Sequence, residues 1–463
     1  MRKSKLERDL GNIVGKENVI VSDIEEEKLI DTVWGSSILS LGFKIAPDAI
    51  VKPYTAREVV NLVNYAFDKK IPLIPRGGGT SALGEALPIK GGIVIDMKRM
   101  NKIVKIEENK KILTAGAGIS WRKVNAHLRK NKFSVGVNPL NEKSTLGGFI
   151  SKGGYGIGSL RYGSIGNRIV NLEVVLPVGL VINTGYSKSH FSYGFGYNNS
   201  WLFTGAEGTL GVITEATLKI NHVSNLKVSV YRILKDESIF QTLSEFAGSS
   251  NLASLMFFDG KLAKTELGME AERGVILLLS EEGKEEATLE KQHGVILVSE
   301  VDFNLWVKLQ KIYSPDGFGG EVFLPLDSYL KIFKVVRKLN ENYRVRGLVG
   351  FLADPNSTVL RLICEEESGL KRIALVGDFV RAAIDLGGRP YGSGVWNSFW
   401  MEDVYDTNTL KLMRKVKEQI DSQNIMNPYK NINYPKARIG FTAGPSLFRT
   451  TTFLEKIFKK IGL

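Results

Sequence analysis

Pro75-Arg76-Gly77-Gly78-Gly79-Thr80-Ser81-Ala82-Leu83-Gly84 is the stretch from which the rest of the chain becomes readable. An apolar, strand-like segment, Ile71-Pro72-Leu73-Ile74, leads into it. Three glycines in a row carry no Cβ, so successive backbone N–H groups can close around an anion without steric conflict. Arg76 adds a fixed charge, and Thr80 and Ser81 add hydroxyl donors. The segment reads as a cradle for a diphosphate. Which diphosphate depends on the residues downstream of it.

A Walker-type loop closes on Gly-Lys-Ser/Thr, and no lysine stands there. Gly77-x-Gly79-x-x-Ala82 meets the Rossmann spacing, with Asp96 acidic further on, but that fingerprint must open a helix. Gly84, Pro88, Gly91 and Gly92 come next instead and cannot carry a long helix. The chain runs on to another strand, Gly92-Ile93-Val94-Ile95-Asp96. Taken alone, the segment also fits a glycine-rich turn without a ligand.

The context comes from Ser144-Thr145-Leu146-Gly147-Gly148, Arg161-Tyr162-Gly163, Val174-Val175-Leu176-Pro177 and Gly205-Ala206-Glu207-Gly208-Thr209-Leu210-Gly211-Val212-Ile213-Thr214. In this order and spacing they resemble the FAD-binding domain of the vanillyl-alcohol oxidase/para-cresol methylhydroxylase superfamily, in particular its glycolate oxidase and D-lactate dehydrogenase flavoprotein branch. The resemblance is strong over about residues 42–222. It extends weakly to Asn427-Pro428-Tyr429-Lys430, where the family has Asn-Pro-Gly-Lys.

That resemblance implies an α+β fold. A two-subdomain FAD-binding domain of the para-cresol methylhydroxylase type spans 42–222. An α+β substrate-cap domain comes after it over 223–430, with a C-terminal return to the flavin. Residues 1–41 read as a helical lead-in and 431–463 as an extension. The implied cofactor contacts are Pro75, Arg76, Gly77, Gly78, Gly79, Thr80, Ser81 and Gly84 from the first loop. Pro139, Thr145, Leu146, Gly147, Gly148, Gly156 and Tyr162 come from the glycine-dense middle. Glu207, Gly208, Gly211, Val212, Ile213 and Asn427 complete the set. Many relatives tether FAD through histidine or cysteine. Thr80 stands after the glycine run here, and 139–166 contains neither residue type, so noncovalent FAD is expected.

Local patterns agree with alternating short strands and helices. Thr55 and Glu58 form a capping-box signature ahead of the helix from Ala56. A helix is expected around Trp121–Arg129, with His127 on it as a surface or packed residue. A hairpin is expected from Asn171–Pro177 and Leu180–Gly185 across Val178-Gly179. Gly154-Tyr155-Gly156-Ile157-Gly158 fits neither helix nor clean strand and reads as backbone lying against a flat cofactor. Phe149, Lys152 and Tyr155 depart from the family's small, polar run in this block. In the cap, Asp327-Ser328 are expected to cap a helix from Tyr329 to Leu339, with Ile332, Phe333 and Val336 facing the core.

The branch binds a divalent metal through histidines beside a Gly-Asp-Gly-Asn run and in a Glu-His-Gly motif. Those positions fall at Leu348–Asp354 and Gly387–Gly394, and none of the four histidines (His127, His190, His222, His293) lies in either. No metal is expected. Proton transfer then needs another group. Candidates are Tyr391, Ser393 and Lys430, with Arg389 or Arg346 pairing a substrate carboxylate. Two functions stay open. One is a dehydrogenase passing hydride from a small hydroxy acid or related alcohol to FAD. The other is an FAD-carrying electron-transfer subunit of a multi-subunit, glycolate oxidase-like complex.

Composition sets the remaining bounds. At 463 residues, two or three domains are expected. The single cysteine, Cys364, excludes an internal disulfide and a cysteine-rich iron–sulfur site, and reads as a buried small hydrophobe. The formal net charge of +13 is spread along the chain without a basic run interleaved with aromatics, which argues for steering of anions and against nucleic-acid binding. The N-terminus, Met1-Arg2-Lys3-Ser4-Lys5-Leu6-Glu7-Arg8, lacks an apolar signal core, and no stretch approaches the ~20 apolar residues of a membrane span. A cytoplasmic protein is expected. Residues 450–463 put Phe453, Leu454, Ile457, Phe458 and Ile461 on one helical face, opposite Lys456, Lys459 and Lys460. This basic amphipathic pattern suits a peripheral contact with the inner membrane face, where a quinone or acceptor protein would take electrons.

Overall fold

The computed structural model describes residues 3–21, 46–185, 196–222, 226–234, 243–247, 252–281, 295–300, 312, 317–365 and 369–433. Residues 22–45, which include most of the second half of the expected helical lead-in, and the segment 450–463 lie outside the described residues.

Three sheets carry the fold. The first has four strands in the order Val19–Ile20, Ala49–Val51, Ile93–Asp96, Leu73–Arg76. Ile93–Asp96 runs parallel to both of its neighbours, and Ile93, Val94 and Ile95 are fully buried, as a strand covered on both faces requires. The crossover is the helix Ala56–Lys69. The expected capping box starts it: Glu58 N donates to Thr55 Oγ1 at 3.2 Å, and Thr55 N to the Glu58 carboxylate at 3.4 Å. The strand Leu73–Arg76 therefore ends with Arg76 and the glycine run at its carboxyl edge, where loops of parallel sheets present ligand-binding backbone.

The second sheet is antiparallel, in the order Ile103–Glu107, Ile112–Gly116, Val212–Lys219, Ile169–Val175, Val181–Asn183. Its last two strands are the expected hairpin, with Gly179 at φ 75° in the turn. The helix Trp121–Lys130 packs Trp121, Val124 and Leu128 inward and leaves His127 exposed, as the pattern predicts.

The third sheet has eight antiparallel strands, in the order Val295–Glu300, Leu226–Ile233, Val275–Glu281, Leu252–Phe258, Val345–Asp354, Ser357–Cys364, Phe318–Pro325, Arg389–Pro390. Period-two alternation splits its residues between two cores. Leu255, Phe257, Leu348 and Leu352 pack with the helices Tyr329–Leu339 and Gly369–Asp385. Met256, Phe258, Val349 and Phe351 face the other way, toward Leu140 and Ile157 of the 131–168 region that precedes the strand Ile169–Val175. That second face brings the modules together. Cys364 is buried on its strand, as expected.

One cap differs from expectation. A 3-10 turn, Leu326–Ser328, precedes the helix Tyr329–Leu339, and Ser328 makes no capping bond. Its hydroxyl donates instead to Leu386 O at 3.0 Å, because the turn directs it at the neighbouring helix end.

Candidate functional site

The loop after Leu73–Arg76 packs directly onto the segment Lys143–Gly148. A Cβ on Gly77 would lie 2.2 Å from Thr145 Oγ1, and one on Gly78 would lie 2.4 Å from Lys143 O. The glycines thus let two backbones meet, and their meeting forms one wall of a cavity. Among the described residues, the N–H groups of Gly77, Gly78, Gly79, Thr80 and Ser81 donate to nothing within the chain. Beside them stand Arg76, Thr145, Gly147 and Gly148, and Glu207, Gly208, Gly211, Val212 and Ile213 close the opposite side. A row of uncommitted N–H donors beside a guanidinium fits the diphosphate of a dinucleotide, so the residues present fit FAD.

Of the residues expected at the cofactor, Pro75, Thr80, Ser81 and Pro139 also line this cavity. Gly84, Leu146, Gly156, Tyr162 and Asn427 do not, and each has another place. Gly84 sits at φ 77° and opens the turn closed by Leu87 N to Gly84 O. Leu146 is fully buried in the second sheet's core. Cβ atoms on Gly156 and Gly158 would strike Asn138 O and Gly136 O, so at these two positions the glycines let the backbone meet protein. The Tyr162 ring packs against Gly136 and faces Arg168, whose guanidinium is 5.1 Å from its centroid. Asn427 is a buried support: its Nδ2 donates to Glu85 O (2.8 Å) and Glu207 O (2.7 Å).

The same cavity continues to the third sheet, where Lys152, Tyr155, Glu321, Arg361 and Tyr391 line it with Glu85. Lys152 Nζ pairs with Glu321 Oε2 at 3.3 Å across the two modules and lies 4.8 Å from the Tyr391 ring centroid. Burial alone would lower the lysine's pKa, but the nearby Glu321 and Glu85 carboxylates outweigh it and hold the ammonium charged. Arg361, buried on Ser357–Cys364, has its guanidinium 5.0 Å from the Phe318 ring. Tyr391 O–H accepts from Tyr155 N (2.7 Å) and donates to Tyr155 O (3.2 Å). Burial pushes that phenol up to about 12.

Two further buried charges brace the wall. Glu207, at φ 52°, accepts from Ser393 N (2.9 Å) and Gly394 N (2.8 Å) through its two carboxylate oxygens. Burial, followed by the Glu85 charge, raises it to about 7. Lys430 Nζ donates to Leu87 O at 2.6 Å and approaches Asn427 Oδ1 at 3.4 Å; burial lowers it to about 7 against the pull of Glu207 and Glu85.

The other expected catalytic residues are spread apart. Ser393 contributes its backbone N–H to Glu207. Arg389 stacks on Phe323 at 4.7 Å. Both line a second cavity of about 550 Å³ beyond Tyr391, with Trp201, Trp400 and Met413. Arg346 pairs with Glu266, away from either cavity. Over Leu348–Asp354, the first of the two stretches where the resemblance places metal histidines, the strand does not fit a metal: Val349, Phe351, Leu352 and Ala353 are buried and apolar, and a Cβ on Gly350 would meet Leu360 at 2.5 Å.

Glu321 and Arg361 escape the sequence reading, although each is a charge inside an otherwise apolar strand. Lys152 and Tyr155 stand out in the sequence only as departures from the family's small residues. The structure brings all four to one cavity end.

Comparison with known proteins gives two family matches: an FAD binding domain over residues 47–185 and the C-terminal domain of FAD linked oxidases over 302–431. The D-lactate dehydrogenase of Archaeoglobus fulgidus is 28% identical over 410 residues, covering 82% of this chain and 90% of that protein. Glycolate oxidase subunit GlcD of Bacillus subtilis is 25% identical over 425 residues, covering 84% and 89%. Among solved structures, the 4-ethylphenol oxidase of Gulosibacter chungangensis superposes with a TM-score of 0.76 at 15% identity, covering 94% of this chain and 97% of that one. p-Cresol methylhydroxylase with substrate bound gives 0.75 at 16%, covering 92% and 96%.

Proposed function

We propose that this FAD-linked oxidoreductase, which matches an FAD binding domain and the C-terminal domain of FAD linked oxidases, oxidises a small 2-hydroxy acid or closely related anionic alcohol. The supporting observation is the continuity of one cavity, from the N–H row of Gly77–Ser81 to the half-buried Lys152 and the buried Arg361. Two relatives are named for D-lactate and glycolate, both 2-hydroxy acids.

In this reading Arg76, the Gly77–Ser81 backbone, Thr145 and Gly147–Gly148 hold the FAD diphosphate, and Glu207–Ile213 hold the rest of the dinucleotide noncovalently. FAD, when bound, would supply a two-electron acceptor for the substrate. Arg361 receives the substrate carboxylate, for which a planar guanidinium offers two parallel donors. Lys152, fixed by Glu321, adds a second positive charge and ties the cap to the flavin-binding module. Tyr391 latches Tyr155 and screens the cavity from the second one behind it. A phenol raised to about 12 stays protonated at neutral pH, which suits this positioning role. Arg389 and Ser393 act at one remove, through Phe323 and Glu207. Turnover further needs an acceptor for the electrons, a protein or a quinone.

Anaerobic titration of the holoprotein with D-lactate, glycolate and D-2-hydroxybutyrate tests the proposal. Bleaching of the visible flavin band by at least one acid is expected. A flavin that none of them bleaches would turn the reading toward an electron-transfer subunit.

A further inference from the structure

Removing hydride from an alcohol carbon leaves the hydroxyl proton to be taken up, and that proton needs an acceptor within hydrogen-bond reach. Most groups around the cavity already have partners. The Glu321 carboxylate holds Lys152. Both oxygens of Glu207 hold backbone N–H groups. Tyr391 is bonded to both backbone atoms of Tyr155. Lys430 is spent on Leu87 O and lies outside the lining.

Glu85 differs from all of these. It lines the cavity from the turn Gly84–Leu87, held in place through its own backbone carbonyl by Asn427 Nδ2. Both of its carboxylate oxygens are buried, and neither has a hydrogen-bond partner among the described residues. A carboxylate buried without donors is costly, and a ligand hydroxyl would relieve that cost. Its surroundings place it at the cap-side end: a Cβ on Gly392 would touch Lys152 Cε at 3.1 Å and Glu85 Oε1 at 3.7 Å. The charges that act on it are Lys152, Lys430 and Glu207.

We propose that Glu85 is the catalytic base of this site, an assignment that rests on the 2-hydroxy-acid reading above. As the C–H bond breaks, its electron pair leaves as hydride to FAD. The O–H bond breaks with it, the proton passes to a Glu85 carboxylate oxygen, and the remaining pair forms the carbonyl. The substrate loses two electrons and two hydrogens, one as hydride and one as H⁺, and no further reactant is required.

The test uses the full-length, FAD-loaded protein and the variants Glu85→Gln and Glu85→Ala. Glu85→Gln is expected to retain FAD, with flavin reduction slowed about 10²–10³-fold and KM changed less than about threefold. Oxalate, followed by its perturbation of the flavin spectrum, should bind this variant at least as tightly as wild type, because a negative charge has been removed from its site. Formate should restore part of the reduction rate of Glu85→Ala by standing in for the missing carboxylate. Wild-type rates in Glu85→Gln overturn the assignment. So does loss of FAD, which would make Glu85 a holding residue, and so does a slow variant that formate does not rescue. A wild-type flavin that no hydroxy acid bleaches removes the 2-hydroxy-acid reading, and the base with it.

Discussion

The two ends of the cavity that begins at the glycine cradle are built on different plans. The cradle is backbone: Gly77–Ser81 meets Lys143–Gly148, and the chain's own N–H groups line the wall. The cap-side end is side chain: Lys152, Glu321, Arg361 and Tyr391 arrive on four separate segments. A backbone site tolerates almost any side chain that leaves room, so what it demands is glycine in one short run. A side-chain site demands particular charges, yet places no constraint on their spacing along the chain.

Removing a charge and adding a methyl group should therefore fail in opposite ways. The largest effect is expected from Arg361→Met, which keeps bulk against Phe318 but removes the guanidinium. We expect kcat/KM for a 2-hydroxy acid to fall about 10²–10³-fold while FAD stays bound, since losing a buried charged partner costs about 2–5 kcal/mol. Steady-state kinetics with a flavin spectrum of the same preparation checks both halves. An equal loss of FAD would mean that the two ends are not separable.

Gly78→Ala is the converse. Its Cβ would lie 2.4 Å from Lys143 O, a backbone atom that cannot swing away. Overpacking of this kind costs about 1–3 kcal/mol, so FAD affinity should drop about 10–100-fold with substrate preference unchanged in the fraction that retains FAD. Equilibrium titration of the apoprotein measures it.

A smaller effect comes from the brace between the ends. Glu207 is raised from its ordinary 4.5 to about 7 by burial, so the folded state holds its proton more tightly than the unfolded one. That contribution to stability is full below pH 4.5 and is lost as pH rises through about 7. Thermal midpoints of wild type should fall between pH 5 and pH 7.5 by about 2–4 °C more than those of Glu207→Gln, in which the proton cannot leave. Parallel curves would show that the brace carries no such proton. The smallest effect is expected from chelation: with Phe351 and its apolar neighbours where the branch has metal ligands, EDTA should change the reduction rate by less than about twofold.

The same contrast explains how much was legible in the sequence. Gly77–Gly79 could be read because the constraint is local, and the Thr55/Glu58 capping box and the Gly179 hairpin could be read for the same reason. Ser328 could not be resolved as a non-cap, because whether the turn before a helix tightens depends on what packs beside it, here Leu386. Glu321 and Arg361 sit at matched register on adjacent antiparallel strands. Nothing at a distance of forty positions in sequence announces that pairing, although a lone charge in Val359-Leu360-Arg361-Leu362-Ile363 marks a residue that must find a buried partner. Gly156 and Gly158 show the other side of this: glycine density signals close approach without naming the approaching surface, which at these two positions includes Gly136–Asn138.

The strand that carries the cradle, Leu73–Arg76, has a neighbour from the far end of the chain. Leu73 N donates to Ile425 O at 2.8 Å, Asn427 N donates to Leu73 O at 2.7 Å, and the Asn427 amide pins Glu85 and Glu207 together. During synthesis the cradle emerges some 350 residues before that neighbour exists. Until then the strand has an open edge and the turn bearing Glu85 is unanchored. Cofactor capture is thereby tied to completion of the polypeptide: a nascent or shortened chain ending before Asn427 presents the glycine loop without the clasp that sets its shape.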